Sequence, residues 1–195
     1  MQIMYWVNKL AKCLVLFLLG LWSINAVNAG IDTSWIKNNG GQVHLQMLDG
    51  TKYDLKLNAD VEGVFYDRNK HPVEGDQYIS LFQVSPSNRA YPTGLCGAGS
   101  DIWLYVYQVT GAMLVEKKKI LVSSCLRSIS MASQNSGEAD QDDDFSSVKW
   151  TLGGFSIEWF DNVDTAGRPL RLSNFVLHDG NFLQHDVLIQ DTPKN

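Results

Sequence analysis

Asp101-Ile102-Trp103-Leu104-Tyr105-Val106-Tyr107-Gln108-Val109 is the stretch on which the fold turns. Branched and aromatic residues fill it, and these are the residue types that a pleated, packed strand accommodates best. Side chains on a strand alternate between faces. Trp103, Tyr105 and Tyr107 therefore share one face, and Ile102, Leu104 and Val106 share the other. Both faces are apolar enough to be buried, so core packing is expected on at least one. An exposed Trp/Tyr face would instead form a stripe for sugar or protein contact.

The same reading extends outward in both directions. Gln77 to Val84 precedes this run, and Glu116 to Val122 follows it after a break at Gly111. Val43–Leu48 and Thr51–Leu57 flank Asp49-Gly50, a strong short-range hairpin signal. Val61 to Tyr66 reads as a further strand, ended by turn chemistry from Asp67 to Pro72. Val148–Leu152 and Phe155–Phe160 sit either side of Gly153-Gly154. After a loop at 161–169, Leu170–Leu177 and Phe182–Ile189 surround a second Asp-Gly turn at Asp179-Gly180. No long stretch places apolar residues at i, i+3, i+4 and i+7, and the only helix expected is a short one at Thr33–Lys37. Nine or ten strands with frequent turns predict an all-β fold with minimal helix, an antiparallel sandwich or barrel-like.

The first 29 residues read differently. Lys9 and Lys12 precede an uncharged apolar core from Leu14 to Trp22, and small residues follow up to Ala29. This order predicts a cleavable secretory signal peptide over 1–29 and a single β-rich domain over 30–195. The apolar core is about half the ~20 residues that span a bilayer, so no stable membrane insertion is expected after processing. Cys13 precedes that core, which is the wrong side for a lipidated cysteine. The resulting expectation is a periplasmic or secreted protein.

Processing would remove two lysines from a chain whose net charge is already −5. An acidic protein is poorly suited to nucleic acid, which rewards clustered Lys and Arg, so a basic protein partner is expected instead. Processing would also remove Cys13 and leave Cys96 and Cys125. Two cysteines in an exported chain predict one disulfide, and no C-x-x-C or H-x-x-x-H spacing offers a metal alternative.

Gly94-Leu95-Cys96-Gly97-Ala98-Gly99-Ser100 superficially suggests a phosphate loop. A dinucleotide loop needs a helix after it, and here a strand follows; Gly-Lys-Ser/Thr is also missing. No cofactor is implied. The glycines instead suit a tight loop pinned by Cys96, with Tyr91, Pro92 and Leu95 as candidate partner contacts on a low-entropy surface. Asp140, Asp142 and Asp144 match the first three ligand spacings of a calcium loop, but Phe145 stands where glycine is needed and Thr151 where glutamate is needed. Asp140, Asp142, Asp143 and Asp144 are therefore read as an acidic docking patch or a solvated loop, with no metal assigned.

The remaining chemistry is sparse. His178 and His185 flank a hairpin and could approach one another across it. Ser100, Ser123 and Ser124 lie in no Gly-x-Ser-x-Gly or Ser-x-x-Lys motif. Glu158 and Asp161 are a carboxylate pair that nothing distinguishes from the other acids. The residues favour a non-catalytic protein-binding module that could act as an inhibitor or immunity protein on a basic envelope enzyme or toxin. In overall type the chain is similar to small exported β proteins such as bacterial lysozyme inhibitors and immunity proteins, without a shared motif. The alternatives are an envelope carbohydrate-binding or structural sandwich using the Trp103/Tyr105/Tyr107 face, and a hydrolase whose site has no sequence signature.

Overall fold

The computed structural model describes residues 33–139 and 141–191. The 1–29 leader expected from the sequence lies outside them, as does Asp140. The strands in chain order are β1 Thr33–Lys37, β2 Gln42–Gln46, β3 Lys52–Lys56, β4 Gly63–Asp67, β5 His71–Val73, β6 Asp76–Pro86 and β7 Ser100–Thr110. They continue with β8 Met113–Ser123, β9 Ser130–Met131, β10 Val148–Thr151, β11 Gly154–Asp161, β12 Leu170–His178 and β13 Asn181–Leu188. Short 3-10 turns at Ser133–Asn135, Gln141–Asp143 and Ile189–Asp191 are the helical content of the described residues. The fold is all-β, and every strand pairing is antiparallel.

Thr33–Lys37 is a strand, not the short helix expected from the sequence. It pairs with β4 from Thr33↔Asp67 to Lys37↔Gly63. Five residues carry too little periodicity to choose a conformation, and the unpaired edge of β4 makes the choice through its ladder hydrogen bonds.

The first sheet runs β1-β4-β6-β7-β8, with β5 also beside β6. The second runs β10-β11-β12-β13, with β9 also beside β11. They face one another across a core of Tyr78, Phe82, Val84, Ile102, Leu104 and Val106 from the first sheet and Phe155, Ile157, Trp159, Phe175 and Phe182 from the second. Phe145, from the connection before β10, stacks on Phe82 at 4.0 Å between ring centroids. At one side Lys118 of β8 donates to the carbonyl of Phe182 on β13 at 3.2 Å, tying together the outer strands of the two sheets.

The first sheet is buried on its other face as well. The separate β2–β3 hairpin lies over Ile79, Leu81, Val64, Tyr66, Tyr105 and Tyr107, adding Val43, Leu45, Met47 and Tyr53 to a second core. This explains why β7 is apolar on both sides. It also corrects the notion of an open aromatic stripe, because Tyr105 and Tyr107 are buried under the hairpin. Trp103 keeps partial exposure, and Lys119 covers it at 4.5 Å from Nζ to ring centroid. Burial pushes the Tyr107 hydroxyl well above the ordinary tyrosine range, with the nearby charges of Glu116 and Tyr105 adding to the effect.

Candidate functional site

β6 ends at Pro86 and β7 begins at Ser100, which pairs with Pro86. The chain between them is a chain of turns. Asn88 accepts the Tyr91 amide on Oδ1 at 3.2 Å and donates Nδ2 to the Leu95 carbonyl at 2.9 Å. The amides of Gly94, Gly97 and Gly99 bond back to the carbonyls of Tyr91, Gly94 and Cys96. Cys96 is bridged to Cys125, with Cα atoms 5.7 Å apart, so the loop is fastened to the chain that leaves β8. Cys96 sits in the left-handed region at φ 57°. Gly97 is required beside it, because a Cβ there would run into the backbone of Pro92.

The acidic segment is also held. Ser133 Oγ donates to the Asp144 carbonyl at 2.7 Å, and the Ser133 amide donates to Ser147 Oγ at 2.8 Å. Asp144 Oδ1 accepts the Ser146 amide at 2.8 Å, so its carboxylate works inside the loop. Gln134 Nε2 donates to the Asp142 carbonyl at 2.9 Å.

The two loops meet. A cleft of about 640 Å³ opens at this end of the sandwich, lined by Gly99 and Ser100 on one side and by Asp142 and Asp143 on the other. Ser124, Cys125 and Ile129 belong to the connection from β8 to β9, and Phe160 and Asp161 to the end of β11. Gln134 and Asn135 complete the wall below the acidic turn. Three carboxylates therefore border the cleft, and no Lys, Arg or His among the described residues lines it.

Two of its lining groups lack partners. Ser124 is 1% exposed and Gln134 is 8% exposed, and neither Ser124 Oγ nor Gln134 Oε1 has a hydrogen-bond partner among the described residues. Both atoms are closed off from the opening, so the want of a partner belongs to the packing behind the cleft wall, where it costs stability. A larger hollow of about 850 Å³ beside β1 carries both signs of charge, and its Arg89 is already bonded to the Asp60 carbonyl at 2.7 Å.

The structure distributes the residues singled out in the sequence unevenly. Cys96 and Cys125 form the bridge. Asp142 and Asp143 line the cleft, and Asp144 does not. Tyr91, Pro92 and Leu95 are outside the lining and point to solvent, with Tyr91 70% and Leu95 81% exposed. Sequence reasoning did not single out Gln134 or Phe160; Ser124 and Asp161 were noted only for motifs they do not form. A polar residue's want of a partner is a property of its folded surroundings. His178 and His185 are not opposite one another, since His178 pairs with Asn181 and His185 with Asn174. No group of three or more His, Cys, Asp or Glu among the described residues is placed to hold a metal ion.

A second buried polar cluster lies elsewhere in the fold. Asp67 accepts the Asn69 amide and Nδ2, both at 2.8 Å, and His71 Nε2 lies 2.8 Å from its other oxygen. That last contact lacks hydrogen-bond alignment, so it acts through charge when the ring is protonated. Burial raises the proton affinity of Asp67, but the His71 contact and the Asn69 donors outweigh it and leave its carboxyl below the usual value.

No family model, no curated protein and no solved structure matches this chain. No helix among the described residues is long and apolar enough to cross a membrane.

Proposed function

We propose that this chain is an exported, non-catalytic protein-binding module whose partner is a basic protein, with inhibition of, or immunity to, an envelope enzyme or toxin as its role. The observation that carries this reading is the cleft between the stapled glycine loop and the acidic turn, bordered by Asp142 and Asp161, with no Lys, Arg or His among the described residues in its lining. Like-signed walls around a low-dielectric opening focus the field and attract the opposite charge. The disulfide supports an oxidising compartment. Exposed Leu95 and Leu126 are each next in sequence to a bridged cysteine and supply apolar contact area on a rigid base. The buried Tyr105 and Tyr107 weigh against the carbohydrate stripe.

The test compares affinity capture from envelope extract by the wild type and by the Asp142→Lys/Asp143→Lys variant. One basic protein retained by the wild type, lost in the variant and released as salt rises toward about 0.5 M is the expected result. Absence of any specific partner, or capture indifferent to the charge reversal, would overturn it.

A further inference from the structure

We propose that Asn39 is a site of spontaneous deamidation, at which the side-chain amide closes on the Gly40 backbone and reopens as aspartate or isoaspartate. This goes beyond the docking reading and does not depend on it.

The turn between β1 and β2 carries two asparagines in a row, Asn38-Asn39-Gly40-Gly41, and the fold treats them in opposite ways. Asn38 is half-buried and fully used. Its Nδ2 donates to the Val61 carbonyl at 2.7 Å, and its Oδ1 accepts the Gly41 amide at 2.9 Å. Asn39 is exposed, and its side chain makes no hydrogen bond among the described residues. The Gly40 amide is the nucleophile that the reaction needs, and it donates no hydrogen bond among the described residues either. Gly40 has no Cβ to shield that nitrogen, and the space where one would sit is open. Its φ of 79° is one that glycine enters without strain, so the bare residue is built into the turn. Asparagine is among the chemically labile side chains, and Asn39-Gly40 is the single Asn-Gly pair of the chain.

The reaction balances with water as the co-reactant. Hydroxide takes the proton of the Gly40 amide, and the nitrogen attacks Asn39 Cγ. An N–Cγ bond forms, the Cγ–Nδ2 bond breaks, and Nδ2 leaves as ammonia after taking a proton from water. Water then opens the succinimide. Cleavage of the new N–Cγ bond leaves aspartate. Cleavage of the original peptide bond leaves isoaspartate, whose main chain runs through Cβ and Cγ and is one carbon longer. Either product adds a negative charge to a turn whose Gly40 shares a hollow with Asp60 and Glu62. The isoaspartate also disturbs geometry. The bond from the Gly41 amide to Asn38 Oδ1 spans Asn39 and Gly40, so an extra backbone carbon between them loosens it.

The experiment is incubation of the folded protein at mildly alkaline pH in heavy-oxygen water, followed by tryptic mapping with fragment-ion sequencing. The peptide 38–52 should gain the mass of an amide-to-acid change, with one heavy oxygen located at Asn39. Asn38 should react at least several-fold more slowly. Isomerisation at the Asp-Gly pairs changes no mass of this kind and does not interfere. The rate at Asn39 in the folded protein should lie within an order of magnitude of the rate in the free synthetic peptide, because no hydrogen bond of the fold holds the reacting groups. Asn39→Gln should abolish the change at this position. In the isoaspartate fraction the Gly41 amide should exchange faster than in Asn39→Asp, which keeps the normal main chain. A folded protein that reacts far more slowly than the peptide, modification that falls first on Asn38 or another asparagine, or Gly41 exchange equal in the two forms would overturn the inference.

Discussion

Trp159 donates its indole proton to Ser173 Oγ at 2.9 Å, inside the core between the two sheets. The Ser173 hydroxyl in turn donates a hydrogen bond to Asp186 Oδ1 at 2.6 Å. β11, β12 and β13 are thereby joined by side chains as well as by their ladders. Ser173 is wholly buried, so its replacement leaves the indole N–H without an acceptor. Ser173→Ala should cost about 1–3 kcal/mol in urea unfolding, the penalty for an orphaned buried donor. A loss below about 0.5 kcal/mol would mean that the indole finds another partner.

The bridge between Cys96 and Cys125 closes a separation of 29 residues. Replacing both with alanine should destabilise the protein by about 2–5 kcal/mol, because the unfolded chain regains the freedom the bridge removes. The effect should also be local. Amide exchange should accelerate at Gly94, Gly97 and Gly99, whose bonds are confined to the loop, and stay slow at Leu104 and Val106 in the buried centre of β7. Uniform acceleration would show that the bridge holds the whole sandwich and not the cleft wall.

Much of the fold could be read from residue patterns. The apolar, branched and aromatic runs Gln77–Val84 and Asp101–Val109 gave strands β6 and β7, and the two Asp-Gly pairs gave hairpins. At the second, Asp179 and Gly180 both take positive φ, 49° and 74°, as a tight primed turn requires. What escaped was whatever depends on distant chain segments. The hairpin of β2 and β3 could have joined either sheet, and only packing decides that it caps Tyr105 and Tyr107. Asp142 and Asp144 look alike in sequence. One lines the cleft, while the other caps the Ser146 amide, because the 3-10 turn at Gln141–Asp143 rotates them apart. Ser124 and Gln134 carried no signal, since each matters through the partner it lacks.

Asp67 gives the fold a specific acid sensitivity. Its carboxyl titrates below the ordinary value in the folded protein, so the unfolded chain binds the proton more tightly. The stability it contributes is present above the unfolded value near ~3.9 and is lost as pH falls through the lower folded value. Asp67→Asn keeps an oxygen for the two Asn69 donors but loses the negative charge facing His71, so it should cost stability at pH 6, about 1 kcal/mol, the difference between a charged and a neutral acceptor. At acid pH, below about 4, the gap between the two proteins should shrink. Urea midpoints across that range measure it, and a gap that stays constant would remove Asp67 from the acid response.

Gly97 offers the sharpest separation of loop shape from loop attachment. A side chain there meets the Pro92 and Tyr91 carbonyls, whereas one at Gly153 meets nothing within 4 Å. Gly97→Ala must move the backbone that carries Cys96 in its left-handed conformation, while the bridge itself remains chemically possible. Overpacking of this kind costs about 1–3 kcal/mol, against a few tenths of either sign for Gly153→Ala. Both variants should still form the disulfide, as thiol titration would report. The difference should appear in the amide resonances of Gly99, Ser100 and Ser124, which shift only if the loop's shape is transmitted to the cleft. Should Gly97→Ala leave those resonances in place and cost no more than Gly153→Ala, the loop would be a pliable strap, and the cleft wall would owe its form to β7 and β8 alone.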